Sequence, residues 1–278
     1  MHDYVIADVF TDTPLEGNPV AVLLDARDIP AERMQRIARE MNLSETVFVL
    51  PPEDGGDVRV RIFTPVNELP FAGHPTMGTA FVLAEVHAGD RLTMETGMGK
   101  IGFEFDRVDG KVHWARMRQP IPTWKPYEKT AELLKALGLE SSTVPVEIYH
   151  IGPRHTFVGL PDIPSLSAVR PDLLQLADHE DMSAICFAGA GAEWRMRMFS
   201  PAYGVAEDAA TGSAAVPLAI HLGRHGLTKF GTRIEVQQGV EMGRTSRMYA
   251  QAQGTPDNIT LAEVAGTSVI VARGRLLL

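Results

Sequence analysis

One pattern occurs twice in this chain, and it limits the fold more than any other feature. Phe63-Thr64-Pro65 leads through an acidic loop to Gly73, His74 and a helix expected over residues 75–88. Phe199-Ser200-Pro201 leads through a second acidic loop to Gly212, Ser213 and a helix beginning near residue 213, with Pro217 in its first turns. Both units read strand, acidic loop, glycine, helix. Lesser matches accompany them: Ile29-Pro30 before a helix and Ile163-Pro164 before Pro171–Leu176, and Gly17-Asn18-Pro19 and Gly152-Pro153-Arg154, each before a strand. Self-similarity at this spacing points to an internal duplication. A chain built this way folds as two related halves, and 278 residues are enough for two domains.

Alternation and β-branching place strands over 4–10, 20–24, 46–50 and 58–65. Further short strands are expected near 91–95, 100–106 and 111–117. Pro30 opens a helix with Met34, Ile37, Ala38 and Met41 on one face. The stretch QPIPTWKP, residues 119–126, has the proline density of a connector. A helix over 129–138 and further strands follow it, and AGAGAEW at 188–194 reads as a hairpin turn, since it lacks the third glycine of a dinucleotide fingerprint.

The duplication has a chemical corollary. A helix start leaves backbone N–H groups unpaired and carries partial positive charge, so it suits an anion. Two such starts related by a pseudo-two-fold axis face one cleft, where Gly73 and Gly212 let a ligand approach the backbone. The expected ligand is a small carboxylic acid. Four acid–base candidates lie nearby. Glu45, in NLSETVFV, is either a solvated turn residue or a desolvated carboxylate with a raised pKa. Glu207 and Asp208 either complement a helix dipole or act on a ligand. His74 is either a capped turn histidine or a polar clamp.

The rest of the composition removes alternatives. A net charge of −9 argues against a nucleic-acid or anionic-membrane partner, since both need a basic face. No apolar run reaches a membrane span and no signal peptide is evident, so a cytoplasmic protein is expected. One cysteine, Cys186, allows neither an internal disulfide nor a multi-thiolate metal site, and it reads as a core thiol. His150, His155, His221 and His225 follow no metal-binding pattern. Met34, Met41, Met77, Met94 and Met98 read as core filler.

The segments GNPVAV (17–22), MNLSETVFV (41–49), FTPVNELPFAGHPTMGTA (63–80) and MFSPAYGVAEDAATGSAAVPLA (198–219) resemble the phenazine-biosynthesis isomerase family, the PhzF-like proteins. The resemblance runs along almost the whole chain, with the motifs in order. It implies an α+β, diaminopimelate-epimerase-like fold: two pseudo-symmetric domains, each a rolled, mostly antiparallel sheet around a central helix. The expected division is 1–118, with 265–278 returning to it, and 127–264. It further implies a proton shift from C3 to C1 of trans-2,3-dihydro-3-hydroxyanthranilic acid, giving an enol that becomes an aminoketone and dimerises toward the phenazine skeleton. In that scheme Glu45 carries the proton. His74, Asp208 and Ser213 hold polar substituents, and the backbone at Gly73 and Gly212 holds the carboxylate. Two-thiol racemisation is excluded, because Cys186 lies in neither junction. No cofactor or metal is implied. A homodimer is, and contact with other phenazine-pathway enzymes is a further expectation. A cofactor-free epimerase of another small acid, or a carboxylate-binding protein without turnover, would share the same cleft.

Overall fold

The computed structural model describes residues 1–278. Its first half contains β1 (His2–Val9), β2 (Asn18–Leu23), α1 (Ala31–Met41), β3 (Glu45–Leu50), β4 (Val58–Phe63), β5 (Glu68–Leu69), α2 (Gly73–Ala84), β6 (Arg91–Thr96), β7 (Gly99–Val108) and β8 (Lys111–Arg118). Its second half contains β9 (Thr123–Pro126), α3 (Thr130–Leu137), β10 (Glu147–His150), β11 (Arg154–Gly159), α4 (Ile163–Ala168), α5 (Leu173–Ala177), β12 (Ser183–Ala190), β13 (Glu193–Ser200), β14 (Val205–Asp208), α6 (Gly212–Arg224), β15 (Arg233–Gln238), β16 (Ser246–Thr255) and β17 (Asn258–Gly266). The last strand, β18 (Ser268–Leu276), pairs antiparallel with β1.

The pairing scheme is the same in both halves. β1–β2 is antiparallel, β2–β3 parallel, β3–β4 antiparallel, β4–β6 parallel, and β6–β7 and β7–β8 antiparallel. The second half repeats this as β10–β11, β11–β12, β12–β13, β13–β15, β15–β16 and β16–β17. The short β5 and β14 pair with β4 and β13. At the outer ends, β18 flanks β1 as β9 flanks β10. The two runs meet where β8 and β17, equivalent strands, pair antiparallel.

Each parallel step needs a crossover helix. For β4–β6 that helix is α2, and for β13–β15 it is α6. Along α2 every residue but Leu83 is buried, and along α6 every residue from Gly212 to Leu222 is. A helix that is buried all round must have sheet on every side, and the rolled runs supply it. Side chains from both helices join one continuous apolar core, in which Phe71, Met77, Val216 and Ile220 are fully enclosed. Each such side chain contributes about 1.5–3 kcal/mol on burial.

Four readings change. The first central helix begins at Gly73 and ends at Ala84, so the glycine is its first residue and not the turn before it. Within the proline-rich connector, Thr123–Pro126 forms the edge strand β9. Ile163-Pro164 opens its own short helix, α4, with Asp162 as its cap, and does not lead into the helix at 173–177. Met98 sits half-exposed in the β6–β7 turn and fills no core. Cys186 is fully buried on β12.

Candidate active site between the two central helices

The starts of α2 and α6 touch. A methyl group built on Gly73 would lie 2.2 Å from the backbone nitrogen of Ser213. Neither helix has a side-chain cap at its N-terminus, so their first N–H groups are available to a ligand. Around this contact is a cavity of about 40 Å³. Glu45, Gly73, His74, Asp208, Gly212 and Ser213 all line it. The structure thus brings Glu45, His74, Asp208, Ser213 and the two glycines to one place, and of the residues expected from the sequence it leaves Glu207 out.

Local structure explains the placing of Glu45. Helix α1 stops at Asn42, whose left-handed backbone (φ 52°) sends its N–H back to the Ala38 carbonyl. The chain then turns through Ser44 and enters β3 at Glu45, which is opposite Val20 of β2. The Glu45 side chain is 14% exposed, and its Oε2 lies 3.3 Å from His74 Nε2. That contact falls short of hydrogen-bond geometry, which leaves both buried atoms unpaired at the cavity. Burial raises the Glu45 carboxyl well above its ordinary 4.5, and the charge of Asp208 adds to the effect. Burial lowers His74 to about 3, so the imidazole is neutral and no ion pair forms.

Asp208 is buried as well, but it is held differently. Asn18 Nδ2 donates to its Oδ1 at 2.7 Å and Ser44 Oγ at 3.1 Å, and Thr211 Oγ1 donates to Oδ2 at 2.7 Å. Burial raises its pKa while these donors oppose the rise. Gln238 secures the turn, donating to the Asp208 carbonyl and to Thr211 Oγ1 while it accepts from Thr211 N–H. Of the two carboxylates, then, one has three side-chain donors and the other has none. Burial therefore acts on Glu45 with no donor against it, whereas at Asp208 three donors oppose it.

Glu207, considered beside Asp208 in the sequence, points away. It forms a two-point pair with Arg197 at 2.8 and 2.9 Å, on the opposite face of β14. Sequence reasoning missed Asn18, Ser44, Thr211 and Gln238 as partners of Asp208. It also missed His155, whose Nε2 is 3.0 Å from Ser213 Oγ, and the Ser183–Ser200 hydroxyl pair at 3.1 Å. Asn18 and Ser44 stood inside quoted motifs, whereas Gln238 gave no signal. Elsewhere, donor atoms of Glu147, His221 and His225 lie within 4.8 Å of one another. The guanidinium of Arg224 already occupies that carboxylate, so the group is an ion-pair cluster at the end of α6.

Comparison with known proteins identifies the family. The sequence model of the family described as "Phenazine biosynthesis-like protein" matches residues 7–274. A trans-2,3-dihydro-3-hydroxyanthranilate isomerase of Pseudomonas fluorescens is 60% identical over 278 residues, covering all of both chains. The crystal structure of a PhzF-family phenazine biosynthesis protein of Bacillus anthracis superposes with a TM-score of 0.86 at 26% identity, covering 100% of this chain and 99% of that one. A probable proline racemase of Agrobacterium radiobacter, at 11% identity and a TM-score of 0.69, covers 100% of this chain and 93% of its own. That last likeness shows the shared fold alone, the two-lobed architecture of the epimerases. With the family model spanning nearly the full length and close relatives matching end to end, the chain belongs to the phenazine biosynthesis-like, or PhzF, family.

Proposed function

We propose that this chain is a trans-2,3-dihydro-3-hydroxyanthranilate isomerase, with Glu45 as its proton carrier. One observation carries the assignment of Glu45: it is the cavity carboxylate that no side chain holds in its ionised form. Its ionised form removes the proton from C3, and the electron pair of that C–H bond enters the conjugated ring. The double bonds shift by one position and C1 accepts a proton from Glu45, which is then ionised again. The product is an isomer, so no external oxidant or reductant is required. The enol formed at C3 tautomerises to an aminoketone, which dimerises toward the phenazine skeleton.

In this reading the N–H groups at Gly73 and Gly212 receive the substrate carboxylate, and His74, Asp208 and Ser213 hold the substrate's amino, hydroxyl or carboxylate groups. Closing the cavity strengthens these interactions by excluding water. The bodies that close are residues 1–118 with 265–278, and the second half up to 264, with the segment around 119–122 as the hinge. A homodimer completes the proposal, tested by light scattering against the 30.3 kDa chain mass.

The deciding experiment is turnover in deuterium oxide followed by mass spectrometry. Wild type should incorporate solvent deuterium into the product. Glu45→Gln keeps the shape but accepts no proton, so turnover should fall by about 10²–10⁴. A Glu45→Gln variant of near-normal rate would move the proton transfer to Asp208 or His74.

A further inference from the structure

The reading above gives His155 no task, yet its imidazole is part of the cavity wall. It stands on β11 opposite Ser183, is 1% exposed, and makes one hydrogen bond, between Nε2 and Ser213 Oγ at 3.0 Å. Its Nδ1 is buried without a partner. Ser213 Oγ likewise has no partner but His155. Burial drives this imidazole down to about 3, so the ring is neutral and carries a single N–H.

That N–H has two possible positions, and the surroundings choose between them. A proton on Nδ1 would be a buried donor with nothing to receive it. A bare lone pair there is the smaller defect, since orphaned donors are rarer than under-satisfied acceptors. The proton therefore belongs on Nε2 and is donated to Ser213 Oγ. The hydroxyl hydrogen of Ser213 cannot also point at His155, so it is left for the cavity. It sits on the second residue of α6, beside the uncapped N–H groups of the helix start. The hydroxyl and the helix N–H groups beside it are then all donors, which suits an anion.

The other half shows a parallel arrangement. His74 is the second residue of α2, and its Nδ1 is 3.2 Å from Asn18 Nδ2. Its Nε2 faces the Glu45 carboxyl at 3.3 Å. In each half, a residue of the second strand of the repeat contacts the second residue of the central helix.

We infer that His155 is a positioning residue that fixes Ser213 as a donor to the substrate carboxylate, and that it thereby sets selectivity for the acid over the same ring without its carboxylate. The inference deepens the isomerase reading and rests on it. Its test uses His155→Leu, His155→Gln, Ser213→Ala and the Leu/Ala double variant. The readouts are kcat and KM for the dihydrohydroxyanthranilate, and calorimetric affinity for 3-hydroxyanthranilate and for 2-aminophenol, which lacks the carboxylate.

Loss of one hydrogen bond to a charged group should raise KM and weaken 3-hydroxyanthranilate about tenfold in His155→Leu, with kcat falling less than about threefold. Affinity for 2-aminophenol should not change. His155→Gln, whose amide nitrogen reaches the position of Nε2, should restore most of the loss. In the Ser213→Ala background His155→Leu should add less than about twofold, because the pair acts as one unit. Multiplying effects in the double variant, or equal weakening of both probes, would overturn the inference. If His155→Leu does not fold, His155→Asn replaces it, with an amide too short to reach Ser213. A wild-type protein that bound 3-hydroxyanthranilate selectively but did not turn over the dihydro acid would sink the isomerase reading while leaving the role of His155 measurable.

Discussion

Replacing Gly73 with alanine tests whether the two helix starts must touch for the reaction to proceed. The residue needs no left-handed backbone, so the added methyl strains nothing locally. Its Cβ would instead lie 2.2 Å from Ser213 N, 2.5 Å from Gly212 C and 2.8 Å from Gly212 Cα. Ordinary contact begins at 3.4 Å, and 3.4 − 2.2 = 1.2 Å is the separation the backbones must gain. No flexible side chain can absorb it, because every atom met is main chain. A misplacement of roughly 1 Å costs about 10²-fold in rate. Within a helix alanine is favoured over glycine by about 0.5–1 kcal/mol, which offsets part of the about 1–3 kcal/mol that overpacking the contact costs. The expected result is kcat/KM down about 10²-fold with an unchanged circular dichroism spectrum and a Tm within a few degrees of wild type. Gly102→Ala, where an added methyl meets nothing within 4 Å, is the control and should act as wild type. Gly212→Ala should lose less than Gly73→Ala, since its closest neighbour at 2.8 Å is the Phe10 ring, a side chain. Turnover of Gly73→Ala within threefold of wild type would refute the argument that contact between the helix starts is part of the working state.

Other consequences can be measured separately. The base form of Glu45 is lost as pH falls through its raised pKa, so kcat/KM should decline in acid well above the ordinary 4.5. Asp208→Asn removes the charge that helps raise Glu45, so on the residual activity this limb should move to lower pH; an upward move would contradict the coupling. Glu147→Ala strands Arg224 and its neighbours without a counter-charge and should cost about 3–5 kcal/mol in urea unfolding at neutral pH. Because the Glu147 carboxyl is held below its ordinary 4.5, its contribution is full above that value and shrinks as pH falls beneath it, so the deficit of the variant should narrow in acid. Burial pushes the Cys186 thiol up to about 12, so iodoacetamide should label the protein only after unfolding and leave native turnover intact.

Much of the site was legible because its residues break local rules. Gly73 and Gly212 stand where a helix begins, and glycine there is a poor helix former whose value is closeness to another backbone. The repeat then located the second junction from the first. What stayed hidden lacked such punctuation. His155 is one more residue in an apolar strand, and only the parallel pairing of β11 with β12 turns its side chain to the cavity. Gln238 ends β15, far along the chain from the Thr211 it secures. The edge strand Thr123–Pro126 looks like a connector in the sequence because Pro120 and Pro122 precede it and Pro126 ends it. Proline is tolerated at a sheet edge, where one side of the strand makes no ladder bonds, and β9 pairs only with β10. Glu207 and Asp208 look equivalent as neighbours, and the two-residue alternation of β14 sends one to Arg197 and the other to the cavity.

The pairing of β18 with β1 governs the order in which this polypeptide can reach its native state. His2 lies opposite Leu276, so the first strand waits for the last. The second lobe has no such dependence within its own run: β9 through β17 are contiguous in the chain, and all the partners of that run emerge together. During synthesis the lobe that leaves the ribosome first is therefore the one completed last, reversing the usual N-to-C sequence of domain folding. Until β18 arrives, β1 presents an unpaired strand edge, the surface most prone to pairing with another chain. Closure over so long a loop is slow, and the nascent first lobe stays open to aggregation for as long as it lasts.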